Sequence, residues 1–148
     1  MKSIFRIIYI LALVLMSVSC STTRVLQDGE YRLTKNKIRI ENDKEFNPNQ
    51  LNKYLKQNEN LGWSPFLYVY NWTNGQGKGW DKLVQKIGKA PVVYDPEQVE
   101  NSISNITNHL EYLGFYGSEV EPEIKVNKKK VSVTYNVSLG KPYTIKDI

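Results

Sequence analysis

The stretch YDPEQVENSISNITNHLEYLGFYGSEVEPEIKVNKKKVSVTYNVSLGKPYTIKDI, Tyr94–Ile148, decides the fold. Its first third has helical spacing. Val99, Ile103, Ile106, Leu110 and Leu113 recur at intervals of four and three, the period of one helix face. The start is marked by Tyr94 before the cap, Asp95 as cap, Pro96 in the first turn and Gln98 at the capping-box position. Gly114 stands where a left-handed C-cap is expected, and Phe115 should fold back on the last turn. The period then changes to two. Val120, Pro122, Ile124 and Val126 share one face of a strand, and Val131, Val133, Tyr135, Val137 and Leu139 share one face of the next. Asn127-Lys128-Lys129 is the turn between them. Pro122 cannot donate to a ladder, so its strand is predicted at a sheet edge and the last strand at the centre.

The helix-start pattern occurs once before. Phe46, Asn47, Pro48, Gln50 and Leu51 repeat the staple, cap, proline and glutamine in the same order, and Leu51, Tyr54 and Leu55 share a helical face. That helix is predicted to fade over Asn58–Gly62. Lys37–Glu41 alternates and reads as a short strand. The order is strand, helix, helix, strand, strand, an α+β class. A three-stranded mixed sheet would be packed by two helices. Residues 61–93 form an insertion between the helices. It is aromatic-rich over Trp63–Trp72 and helical in spacing over Trp80, Leu83, Val84 and Ile87, with a stop at Gly88.

The N-terminus has a different grammar. Lys2 and Arg6 precede an apolar run, Ile7–Met16, and the small residues Ser17-Val18-Ser19 lead to Cys20. This is the layout of a cleaved secretion signal, too short to be a spanning helix. Cys20 is the only cysteine of the chain, so no internal disulfide can form. Its position resembles the lipid-attachment cysteine of bacterial lipoproteins. Ser17 and Ser19 also fit the small-x-small rule of ordinary secretion. Ser21 after the cysteine, without an acidic cluster, points to the periplasmic face of an outer membrane. Removing residues 1–19 from 148 leaves 129, one ordinary domain, and lowers the formal charge from +5 to +3. No nucleic-acid partner is expected from so modest a charge at a secreted address.

From Asp95 onward the motifs resemble a POTRA domain, the periplasmic repeat of BamA- and TamA-like outer-membrane proteins. The resemblance rests on Tyr112-Leu113-Gly114-Phe115-Tyr116 leaving a helix, and on Val137-Ser138-Leu139-Gly140-Lys141-Pro142-Tyr143-Thr144-Ile145 leading to a next repeat. The leader, with Gly29-Glu30-Tyr31 and Lys35-Asn36-Lys37, is similar to the lipoprotein subgroup of TamA-like proteins. The expected organisation is a signal at 1–19, a tether at 20–34, the POTRA-like domain at 35–141 and the first strand of a further repeat at 142–148.

The resemblance implies a non-enzymatic role in outer-membrane protein assembly or translocation. Extended clients or partner subunits would be bound and passed to a C-terminal membrane barrel. Expected partners are that barrel, downstream or in trans, unfolded outer-membrane clients and a periplasm-spanning TamB-like protein, with the membrane reached through the lipid on Cys20. No cofactor is expected. The candidate contact site is the edge strand carrying Val120, Pro122, Ile124 and Val126, on which backbone pairing is indifferent to client sequence. Glu119, Glu121 and Glu123 on the same strand could equally serve only to block unwanted pairing. A second reading, from another class, is a free-standing lipoprotein binding glycan or peptidoglycan through Trp63, Trp72 and Trp80, although aromatic residues also simply fill cores.

Two other features carry less. Gly75-Gln76-Gly77-Lys78-Gly79 lacks the serine or threonine of a Walker loop and has Trp80 where the dinucleotide pattern needs glycine. His109 is the only histidine and has no second histidine or free cysteine to complete a metal site, so it is expected at the polar boundary of its helix.

Overall fold

A computed structural model describes residue 6 and residues 22–60, 65–71 and 79–142. Its centre is a three-stranded mixed sheet of β1 (Arg32–Ile40), β3 (Glu119–Asn127) and β4 (Lys130–Ser138), in the order β1-β4-β3. β1 runs parallel to β4, and β3 antiparallel to it. β4 alternates buried Val131, Val133, Tyr135 and Val137 with half-exposed Ser132, Thr134, Asn136 and Ser138. One face of the sheet is therefore packed and the other is polar. The predicted central strand is central, and the predicted edge strand is an edge.

The long helix α3 (Pro96–Tyr112) covers the packed face. The Asp95 side chain accepts from the Glu97 N–H at 3.0 Å, and Gly114 follows with φ 89° in the left-handed region. The helix buries Val99, Ser102, Ile106 and Leu110. Ser102 was not expected in that stripe. Its hydroxyl donates to the Gln98 carbonyl at 2.7 Å and accepts from the Lys56 N–H at 2.9 Å. A buried polar group is thus satisfied while it fastens the segment after the first helix.

That first helix differs from expectation. It is a 3-10 helix, Pro48–Tyr54, and ends well short of Asn58. Asn47 caps it through the Asn49 N–H at 3.0 Å, and Leu51 is fully buried. Asn49 and Asn52 lie inside it, and asparagine competes with the helix ladder for backbone partners. One buried leucine on so short a piece supports no more than about two turns.

The first strand also differs. It begins at Arg32, inside the stretch read as a tether, and a register shift between Leu33 and Lys35 interrupts it. The bulge puts Leu33, Asn36 and Ile38 on the buried side, a spacing of three and then two that hides the alternation. The residues before it are packed too. Leu26 and Thr22 are buried, the Arg32 Nη1 donates to the Thr22 hydroxyl at 2.6 Å, and Lys129 bridges to Asp28 at 3.2 Å.

Between the 3-10 helix and α3 lie two short helices, α1 (Pro65–Tyr70) and α2 (Trp80–Ile87), packed against each other. α2 matches the expected helical spacing and stops at Gly88, whose N–H reaches the Val84 carbonyl at 2.7 Å. Gly88 lies so close to Tyr70 that a Cβ there would meet its backbone at 2.8 Å. The buried Asn60 closes the base of this region. Its amide donates to the Ala90 carbonyl at 3.0 Å and accepts from the Val92 N–H at 2.7 Å.

After α3, β2 (Phe115–Tyr116) pairs antiparallel with β5 (Lys141–Pro142). Pro142, expected to open a further repeat, stands opposite Phe115 in this pair. Phe115 returns to the core as expected and meets Phe46 edge to face, with centroids 5.6 Å apart.

His109 lies at the helix boundary, as expected. Its Nδ1 is 2.8 Å from the Tyr54 hydroxyl, and the two rings lie 4.3 Å apart. Burial, and then the nearby Lys53 charge, hold its pKa below the ordinary 6.5. The unfolded chain therefore takes up this proton at higher pH than the folded one. Stability is complete above about pH 6.5 and falls as the pH drops through that value toward the lower folded pKa. Urea midpoints measured from pH 8 to 5 should show this loss. His109→Gln, which keeps a polar partner for Tyr54, should remove it.

Candidate partner-binding edge

The outer side of β3 is built by the hairpin that ends it. Asn127 and Lys130 flank the two-residue turn Lys128-Lys129 and close it as a hydrogen-bonded pair. Counting back by two, Lys125, Glu123, Glu121 and Glu119 turn their backbone groups toward β4. Val120, Pro122, Ile124 and Val126 turn theirs outward. No hydrogen bond from these four outward positions reaches another described element. Pro122, which has no N–H to offer, occupies an outward position, where its ring costs the ladder nothing.

The same four residues project their side chains on the helix side of the sheet, opposite Val137, Tyr135, Val133 and Val131 of β4. Those partners are buried, but β3 runs out beyond the cover of α3. Ile124 is 44 % exposed and Val126 59 %, while Val120 is half-buried against the core. An edge with free backbone groups thus lies beside a strip of exposed apolar side chains. The polar face of β3 carries Glu119, Glu121, Glu123 and Lys125. Lys125 bridges to Glu123 at 2.8 Å, and that hydrogen bond and charge hold the Glu123 carboxyl below its ordinary pKa.

The second edge of the sheet is β1, as the three-strand order implies, but its groove has no counterpart in the sequence pattern. At its start the outer side of β1 is covered. The Leu33 N–H donates to the Val92 carbonyl at 2.8 Å, and the Tyr94 N–H to the Tyr31 carbonyl at 2.7 Å. Farther along, Lys37, Ile38, Arg39 and Ile40 line an open groove of about 380 Å³ with Asp43, Lys44, Phe46 and Pro48. The groove depends on the return of the Asp43–Pro48 segment beside β1, which no local motif marks.

Several expected positions fall elsewhere. Cys20, Trp63 and Trp72 lie outside the described residues, as do Gly75–Lys78 and Tyr143–Ile148. Trp80 opens α2, but its side chain is also outside them. Among the described residues, no group of histidine, cysteine, aspartate and glutamate could hold a metal ion. Among them, too, no helix is long and apolar enough to cross a membrane.

Comparison with known proteins agrees with this architecture. No curated protein and no solved structure matches the chain. The POTRA family model, described as a surface antigen variable number repeat, matches residues 34–140. That span runs from the bulge in β1 to the glycine before β5 and takes in all of the mixed sheet except Arg32 and Leu33. The chain belongs to the POTRA family.

Proposed function

We propose that this chain is the periplasmic POTRA region of an outer-membrane protein assembly or translocation lipoprotein. POTRA domains are non-catalytic interaction modules of the outer-membrane assembly machinery. In this reading lipidated Cys20 holds the domain at the inner face of the outer membrane. The outer edge of β3 takes extended clients or partner subunits, which pass to a membrane barrel in the same protein or in trans. A TamB-like protein spanning the periplasm is a further partner. The pairing of clients with backbone groups needs no nucleotide, because client folding and burial in lipid supply the free energy.

The observation that carries this reading is the register of β3. Its free backbone positions and its exposed apolar side chains coincide at Ile124 and Val126, with half-buried Val120 continuing the same row. A strand added there gains main-chain hydrogen bonds and apolar cover together.

The test is in vivo photo-crosslinking from a probe at Val126. Ile124→Pro removes one outward donor and sets a ring in the added strand's path. Crosslinks to clients should fall about tenfold, the loss expected for a hydrogen bond of about 1.4 kcal/mol. Pro122 already tolerates the same register, so the domain should stay folded. Ile124→Thr keeps the donor and should keep the crosslinks. Undiminished crosslinking in Ile124→Pro would refute the edge as the docking site.

A further inference from the structure

The open face of the sheet is electrically polarised. Strand pairing sets Lys37, Thr134 and Glu123 in one row across it and Arg39, Asn136 and Glu121 in the next. The β1 edge is basic, the middle neutral and the β3 edge acidic. On β4, the neighbours of Glu119, Glu121 and Glu123 are the uncharged Ser138, Asn136 and Thr134. Among the described residues Glu119 and Glu121 form no ion pair, and Glu123 bridges to Lys125 on its own strand while also feeling the more distant Arg39 and Lys37 charges.

A strand docked outside β3 would place alternate side chains on these two faces. On the helix side they would meet Val120, Ile124 and Val126. On the open side they would meet Glu119, Glu121 and Glu123, with Lys125 only at the turn end, a net acidic row at cross-strand distance, where opposite charges attract and like charges repel. We infer that this edge selects extended segments that alternate apolar with basic residues, and rejects those that alternate apolar with acidic ones. The inference rests on the proposed docking of clients at β3 and names their chemical class. It also joins the two readings of the glutamates. They block pairing with acidic or unsuited strands and admit a basic one.

The probes are two fluorescent nine-residue peptides, one alternating valine with lysine and the other valine with glutamate. Each is titrated into the full chain in detergent and read by anisotropy. The lysine peptide should bind about tenfold or more tightly than the glutamate peptide, from two or three cross-strand charge contacts. The gap should shrink as salt is raised. Glu121→Lys combined with Glu123→Lys, both at exposed or half-exposed positions, should reverse the preference. Equal binding of both peptides, abolished by Ile124→Pro, would overturn the charge selection and leave the edge reading intact. Binding of neither peptide, or binding unmoved by Ile124→Pro, would overturn the edge reading and the selection with it.

Discussion

Gly140→Ala lowers the stability of the chain by about 2–3 kcal/mol, the upper range for forcing atoms into a packed site. Gly140 lies against the carbonyl of Tyr116, and a Cβ there would overlap that oxygen and its carbon. Both partners are backbone, so no side chain can swing away. The segment is held from both sides. Asn42 donates to the Leu139 carbonyl at 2.7 Å and accepts from the Leu139 N–H at 2.9 Å. The Ser118 hydroxyl accepts from the Gly140 N–H at 2.9 Å and donates to the Phe115 carbonyl at 2.7 Å. Relief must therefore come from β2 and β5 separating, which exposes Phe115. Urea unfolding measures the loss, and amide exchange at Tyr116 and Lys141 should rise with it. Lys141→Ala, at an exposed neighbour, should stay within about 0.5 kcal/mol of wild type. A Gly140→Ala protein of unchanged stability would mean that β2 and β5 do not pack as described.

Gly140 also shows what the sequence made legible. It stands between a buried strand and a proline in a recognisable motif, but the motif alone holds no reason for a glycine. The reason is a close approach between segments that lie far apart in the chain, and only the fold brings them together. Local signals fared differently. Asp95, Pro96 and Gly114 act within one turn of α3, and Pro122 acts through its own missing N–H, so each could be read in place. The 3-10 helix was over-read because its cap and staple are strong while its asparagine-rich interior is weak. The first half of β1 was missed because a bulge breaks the period of two on which strand reading depends. Ser102 is hidden in the sequence for the same kind of reason. A serine in a helix stripe becomes a core residue only when an outside N–H, here that of Lys56, arrives to use it. For the candidate site, the β3 edge was legible through Pro122. The β1 groove was not, since it forms only where the segment Asp43–Pro48 folds back beside β1, and no local pattern marks that return.

Tyr135→Ala is the larger loss, about 3–5 kcal/mol by analogy with other buried aromatic truncations. A domain of this size is stable by only about 5–15 kcal/mol, so the variant should be largely unfolded on mild heating. Tyr135 is the largest fully buried side chain among the described residues. It stands mid-way along the central strand, between Ile38 of β1 and Pro122 of β3. Its hydroxyl lies beside Ser102 and Asn36, and burial pushes its pKa above the ordinary 10.0. A milder variant separates ring from hydroxyl. Tyr135→Phe keeps the packing of the ring and should stay within about 1 kcal/mol of wild type. It should also change the response to alkali. In the unfolded chain this tyrosine ionises near pH 10, while in the folded chain it holds its proton longer. Stability is therefore full below about pH 10 and falls as the pH rises through it toward the higher folded pKa. Tyr135→Phe should lose this component. It keeps the part due to Tyr94, whose pKa is raised by burial and then by Asp95 and Glu100. Urea midpoints between pH 8 and 11 make the comparison. A parallel alkaline decline in wild type and Tyr135→Phe would show that the hydroxyl is not shielded, and that the centre of the sheet is more open than its packing indicates.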